Sequence, residues 1–207
     1  MLCASFVILS PGSSWSNPIW DSSVTVAVAN LGTGLLLPTV SELDGWSYCP
    51  RCRADLELEE GKAECPQCGF VTYAGSKPTA SALCIDESGR VLLARRGVEP
   101  FKGLWDFPGG FLEEWEHPLD CLRRELREEA GVEIEPLELL GIWMDVYGDG
   151  GGCTLNLYWA ARIVEGEPRP ADDVAELRWF EPSEISRDEL SFGHLGEVLS
   201  ALRNQHS

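Results

Sequence analysis

The 23 residues from Gly110 to Val132, Gly-Phe-Leu-Glu-Glu-Trp-Glu-His-Pro-Leu-Asp-Cys-Leu-Arg-Arg-Glu-Leu-Arg-Glu-Glu-Ala-Gly-Val, limit what this chain can fold into more than any other stretch. Pro118 near a first turn, acidic residues close to the start and Gly131 just past the end predict a helix over 118–130. Leu119, Leu122 and Leu126 recur at i, i+3 and i+7, a stripe to be buried against a core. Glu125, Glu128 and Glu129 share a second face, opposite or beside that stripe. Three carboxylates so close repel one another unless a cation sits among them, and hard divalent ions such as Mg²⁺ take oxygen ligands of this kind. The plainer alternative is a solvated acidic face.

Charge narrows the choice of partner. Among 207 residues, 16 Lys and Arg stand against 34 Asp and Glu, a net charge of −18. A chain this acidic lacks the basic footprint that grips a nucleic-acid duplex, yet it can take a phosphate-bearing substrate if metal ions supply the positive charge. No apolar run reaches the ~18 residues of a membrane-spanning helix. Met1 to Leu9 is apolar, but the first basic residue is Arg51, and Pro11, Gly12, Ser13 and Ser14 follow in place of a cleavage site. That reads against secretion, and a cytoplasmic location is expected. Residues 1–45, nearly uncharged, are read as a weakly ordered or non-native leader.

Four of the eight cysteines form two tight pairs, Cys49-Pro50-Arg51-Cys52 and Cys65-Pro66-Gln67-Cys68, twelve residues apart. Two intervening residues let both thiolates of a pair point at one ion, and two such turns joined by a short hairpin make a closed four-thiolate site. Between them, Ala54 to Leu58 reads as a strand, Gly61 as a turn, and the chain then returns. The pattern resembles a zinc ribbon. Disulfides or a redox pair are the alternatives, and both want an oxidising compartment or a catalytic setting. Cys84, Cys121 and Cys153 read as small buried hydrophobes, and Cys3 lies in the leader.

Boundaries are expected near Tyr48 and near Gly75–Pro78, giving a leader over 1–45, a ribbon over 46–75 and a larger domain over 77–205. Within the last, strands are expected over Ala80–Ile85, Val91–Arg95, Leu139–Tyr147, Thr154–Ile163 and Ala175–Phe180, with a glycine-rich loop at Gly148–Gly152 and a second helix over about Phe192–Arg203. Hairpins with only two helices predict an α+β fold, a mixed sheet with helices packed on it.

The segment that opens this reading also resembles a family. It fills every defined position of the pattern G-x5-E-x7-R-E-U-x-E-E-x-G-U of Nudix hydrolases, where U is a bulky aliphatic, with Gly110, Glu116, Arg124, Glu125, Leu126, Glu128, Glu129, Gly131 and Val132. The approach Gly103-Leu-Trp-Asp-Phe-Pro-Gly109 is similar to the family's as well. The resemblance covers about Lys77 to Arg203, and a zinc ribbon ahead of such a domain is a known subfamily arrangement.

The resemblance implies an α/β/α sandwich and divalent-metal-dependent cleavage of a nucleoside diphosphate linked to another moiety. It marks Glu125, Glu128 and Glu129 as ligands for Mg²⁺ or Mn²⁺, with the carbonyl of Gly109 or Gly110 as a further ligand and Glu125 or a later acid helping to deprotonate water. Arg124, counted with the catalytic set, and Glu116 hold the loop–helix–loop in shape. Asp173 is the first choice for the later acid and Glu176 the second. Arg95 and Arg96 are candidates for the substrate's phosphates, and Trp105, Phe101, Trp143 and Tyr147 for an adenine ring. After the box, the stretch Gly141–Gly148 has no Ser-Gln-Pro-Trp-Pro-Phe-Pro type run of the NADH pyrophosphatases, so the likeness leans to relatives acting on ADP-ribose or FAD-like dinucleotides. Removal of an NAD cap from RNA is the alternative within the family. A ligand-sensing regulator that binds nucleic acid or a partner is the alternative outside it. The ribbon, whose Arg51, Arg53 and Lys62 sit among five acids, is read as structural, a homodimer or substrate-entry element.

Overall fold

The computed structural model describes residues 41–148 and 152–205. Most of the proposed leader, Cys3 and the middle of the Gly148–Gly152 loop lie outside the described residues.

The cysteine pairs flank a three-stranded antiparallel sheet of β1 (Glu57–Glu59), β2 (Lys62–Glu64) and β3 (Val71–Tyr73) in the order β1-β2-β3. Gly61, at φ +69°, makes the turn expected between the first two. The third strand was not legible in the sequence, because three residues carry no periodicity. It pairs with β2 from Lys62↔Tyr73 to Glu64↔Val71.

The rest of the chain runs β4 (Lys77–Cys84), β5 (Val91–Arg96), β6 (Trp105–Asp106), β7 (Gly109–Phe111), α1 (Pro118–Ala130), β8 (Glu133–Val146), β9 (Cys153–Glu165), β10 (Val174–Phe180) and α2 (Leu195–Gln205), with a 3₁₀ turn at Arg187–Glu189. These strands form a four-stranded sheet β7-β4-β9-β8 and a three-stranded sheet β10-β5-β6. Among the paired strands of the described residues, β4 and β9 run parallel, in register from Lys77↔Thr154 to Cys84↔Ala161, and the others antiparallel. The fold is therefore α+β, as the hairpin-rich sequence predicts.

Alternation along β4 separates two cores. Ala80, Ala82 and Cys84 pack with Leu122, Leu126 and Ala130 of α1. Leu83 packs on the other face with Trp105, Leu140, Tyr158 and the α2 residues Leu195, Val198 and Leu199. Helix α1 has the expected bounds. His117 Nδ1 accepts the Leu119 N–H at its start, and Gly131 at φ +67° ends it, the Gly131 and Val132 N–H groups bonding back to Arg127 and Leu126. Its buried face is Cys121, Leu122, Leu126, Glu129 and Ala130, so Leu119 contributes less than the spacing implied.

Two other elements depart from expectation. β8 starts at Glu133, six residues before the predicted Leu139. Pro136 interrupts the alternating pattern there, and the strand absorbs it at a register shift between Pro136 and Glu138. Helix α2 begins at Leu195, so Phe192 stays outside it and lines a cavity instead.

Candidate active site

Two glycines of β7 sit where the strand meets β4 and the Glu125 carboxylate of the helix. A Cβ on Gly109, at φ +148°, would lie 2.3 Å from the Ala80 carbonyl oxygen, and one on Gly110 would lie 2.5 Å from the Glu125 carboxylate. Glycine at 109 is needed for β7 to lie this close to the β4 backbone, and in that position its N–H donates to Glu129 Oε2 at 2.8 Å, while at 110 it leaves room for the Glu125 carboxylate. Arg124 locks the arrangement. Its Nε and Nη2 donate to the two oxygens of Glu116, each at 2.8 Å, and Nη2 also reaches the Phe111 carbonyl at 3.2 Å. Its Nη1 bridges Glu125 at 2.8 Å and Glu128 at 3.0 Å. The guanidinium fork brings the Glu116 carboxyl down to about 2 despite its partial burial.

The acid after the box arrives through main-chain bonds. The last turn of α1 has carbonyls with no helical partner, and those of Glu129 and Ala130 accept the N–H groups of Ala171 and Arg169 at 3.0 and 2.9 Å. Gly97 N–H then donates to the Asp173 carbonyl at 2.7 Å. So anchored, Asp172 and Asp173 line the same cavity, about 300 Å³ in volume, as Glu113, Glu125 and Glu129. Glu129 is only 8% exposed. Burial raises its carboxyl well above the usual range, Glu125, Asp173 and Asp106 push it further, and only the Gly109 N–H opposes them. Burial also raises Glu125, with Glu128 and Asp173 adding to the effect and Arg124 resisting it. Among the described residues no ion pair is made by Glu129 or Asp173. Carboxylates that line one cavity, Glu129 and Asp173 among them without a cation of their own, supply the oxygen ligands that a hard divalent ion takes.

Arg96 forms the facing wall. It donates from Nε to the Pro100 carbonyl at 2.7 Å, from Nη1 to Asp106 at 3.3 Å and from Nη2 to the Tyr147 hydroxyl at 3.1 Å. Its guanidinium carbon lies 5.8 Å from the ring centroids of both Tyr147 and Phe192, which stack on each other. Arg96 and Tyr147 are thus placed in the cavity, as the sequence suggested.

Other expected contacts are not there. Trp105 is a core residue, packed edge-on to Phe180 at 4.9 Å, because β6 pairs with β5 and turns that ring inward. Trp143 is buried in the same core. Arg95 alternates with Arg96 along β5 and so points away, bonding Gly103 and pairing with Glu176 at 3.4 Å. That pair also takes Glu176 away from the carboxylates and leaves Asp173 in its place. Phe101 packs on Phe192 and is not part of the cavity wall. Glu128 is half exposed, reaches Arg124 and does not line the cavity. Asp106, Asn156 and Tyr158 do line it and were missed. Only Asp106, two residues before Pro108-Gly109, carried a signal in its position.

At the other end of the chain the four ribbon sulfurs lie within 4.8 Å of one another, with Cys49–Cys68 at 3.6 Å and Cys52–Cys65 at 3.5 Å. Tetrahedral Zn–S bonds of ~2.3 Å place sulfurs about 3.8 Å apart, so the cluster is compatible with structural zinc. Each knuckle closes alike. Arg53 N–H bonds to the Cys49 carbonyl and Gly69 N–H to that of Cys65, with Arg53 at φ +65° and Gly69 at +69°.

Comparison with known proteins agrees with this geometry. The NUDIX domain profile matches residues 75–199. An ADP-ribose pyrophosphatase of Methanocaldococcus jannaschii is 30% identical over 110 residues, 53% of this chain and 64% of the relative. An NAD-capped RNA hydrolase NudC of Pseudomonas aeruginosa is 30% identical over 154 residues, 70% of this chain and 52% of the relative. The chain thus spans between half and two thirds of the length of these relatives. Among solved structures, a NUDIX hydrolase from Nitrosomonas europaea superposes with a TM-score of 0.63 at 24% identity, covering 76% of this chain and 89% of that one. The NUDIX domain of Shewanella oneidensis NrtR, in complex with ADP ribose, gives 0.55 at 24%, covering 65% and 91%. These last two likenesses are of fold.

Proposed function

The chain belongs to the NUDIX family, and from that premise we propose that it hydrolyses the pyrophosphate bond of a nucleoside diphosphate linked to another moiety, with ADP-ribose or an FAD-like dinucleotide as substrate. The observation that carries the reading is the buried Glu129 carboxylate, set beside Glu125 and Asp173 with no guanidinium of its own, across a cavity from Arg96. Glu125, Glu129 and the Gly110 carbonyl would hold Mg²⁺ or Mn²⁺ from the cavity wall, and Glu128 would join them on leaving its Arg124 partner. Divalent ions, when bound there, offset phosphate charge and lower the pKa of water. The N–H groups that Arg96 has left face the phosphate oxygens. One Glu125 oxygen is taken by Arg124, and the other is free to accept a proton from the attacking water, as is Asp173. Water oxygen bonds to one phosphorus as the bridging P–O bond breaks, leaving a nucleoside monophosphate and a phosphorylated remainder. In this reading residues 46–75 are a zinc ribbon and 77–205 the hydrolase domain, and the working protein is a homodimer in the cytoplasm.

A hydrolysis screen with Mg²⁺ or Mn²⁺ against ADP-ribose, NADH, FAD, diadenosine polyphosphates and nucleoside triphosphates tests it. Glu129→Gln is expected to abolish turnover of whichever is cleaved, and unchanged turnover removes its metal role. Removal of an NAD cap is the second reading, favoured by the longer NudC match; preference for NAD-capped RNA over ADP-ribose would select it. Tight, salt-sensitive retention of RNA or DNA on a filter, without turnover, would select a regulator instead.

A further inference from the structure

Two hydrogen-bond chains end at the floor of the cavity, and each starts from a group that can only accept. The first starts at the Trp143 carbonyl. Asn156 Nδ2 donates to it at 3.2 Å and to Thr154 Oγ1 at 3.0 Å. That orientation turns Asn156 Oδ1 toward Thr79, whose hydroxyl donates to it at 2.8 Å. The proton of Thr79 is therefore spent inward, and its oxygen keeps lone pairs.

The second chain starts at the Asp145 carboxylate, bonded to His194 Nδ1. A carboxylate there makes Nδ1 the protonated nitrogen of the neutral ring, which leaves Nε2 an acceptor. Tyr158 Oη lies 2.8 Å from Nε2 and, with the ring in that neutral tautomer, donates to it. Its oxygen, too, keeps lone pairs and no proton. Asp106, ion-paired with Arg96, lies beside them and accepts only. Thr79, Asp106 and Tyr158 all line the cavity. A floor of oxygens whose protons are all committed elsewhere is complementary to a group that brings its own.

We propose that Thr79, Tyr158 and Asp106 form an acceptor-only subsite that selects the part of the substrate carrying N–H or O–H donors, with His194 and Asp145 as positioning residues that fix its polarity. The donors come from an amino-bearing base edge or from ribose hydroxyls. The inference rests on the pyrophosphohydrolase reading only in placing a nucleotide in this cavity.

Calorimetry on the full chain at pH 8 with Mg²⁺ separates the sources, using AMP, purine riboside 5′-monophosphate, which lacks the amino group, and 2′-deoxy-AMP, which lacks a hydroxyl. One of the two deficient nucleotides is expected to bind about tenfold more weakly than AMP, and which one identifies the source. Tyr158→Phe, which keeps the packed ring, is expected to erase that difference. His194→Ala frees the phenol proton to turn inward and lowers the same ratio without weakening the deficient nucleotide. Loss of affinity for both alike overturns the positioning role. Equal binding of all three by the unaltered protein, or a Tyr158→Phe protein with unaltered selectivity, overturns the subsite. Turnover of ADP-ribose is measured separately, so a failure of the catalytic reading shows as inactivity with selective binding intact.

Discussion

Glu116 and Arg124 show how one pair turns a flexible loop into a fixed site. Both oxygens of Glu116 are bound by one planar fork from α1, which also reaches Glu125 and Glu128 of that helix and the Phe111 carbonyl. The Glu116 carboxyl therefore falls from its ordinary 4.5 to about 2, the Arg124 bonds outweighing burial. A depressed folded value means that the pair's stabilisation is complete above the unfolded value and is lost as pH falls toward 2. Glu116→Gln is expected to lower stability at pH 7 by about 1–3 kcal/mol and to flatten the loss of stability between pH 4.5 and 2. Chemical denaturation across that range measures both. Helical spacing named Glu125, Glu128 and Glu129, because it fixes which side chains of one helix share a face, whereas the Glu116–Arg124 pair was implied only by the family resemblance. The sequence misplaced Trp105 and Arg95 because the side of a strand on which a residue falls depends on the register with its neighbours, and β5 could have been read with either arginine inward.

Among the elements, the loop before β10 carries the clearest test of assembly. Gly97 lies where a Cβ would meet the Asp173 carbonyl oxygen at 2.5 Å, on the same residue that holds the loop by its N–H. Gly97→Ala is expected to lift Asp172 and Asp173 away from Glu129, cutting kcat by at least about tenfold while costing about 1–3 kcal/mol of stability. Steady-state kinetics beside thermal melts would show whether the loss of rate exceeds the loss of folded protein. The ribbon makes an independent prediction. About one zinc per chain is expected, lost in Cys49→Ser, with metal analysis as the check. Paired Cys-x-x-Cys turns are legible because ligand geometry is written into the spacing. The third ribbon strand and the early start of β8 were not, since short strands and a proline at a register shift take their places from partners far along the chain.

At the scale of the whole molecule, a net charge of −18 sets the approach of any anionic substrate. No helix among the described residues is long and apolar enough to cross a membrane. Like charges slow encounter, and salt screens them within about 10 Å at 0.1 M. With Mg²⁺ held constant, kcat/KM for an anionic nucleotide is expected to rise a few-fold as KCl goes from about 20 to 150 mM; a fall would mean that the cavity's own field, led by Arg96, governs capture. Sequence by itself determined the carboxylate helix, the four-thiol cluster and the α+β class, because spacing along one element and ligand chemistry are local properties. Tertiary structure alone decided which acid after the box joins the helix, which arginine lines the cavity, and that Asp106, Thr79 and Tyr158 line it together. Those outcomes depend on pairing between residues 77 to 89 apart, such as Thr79 with Asn156 and Val91 with Phe180, where a shift of one residue would turn every side chain to the other face.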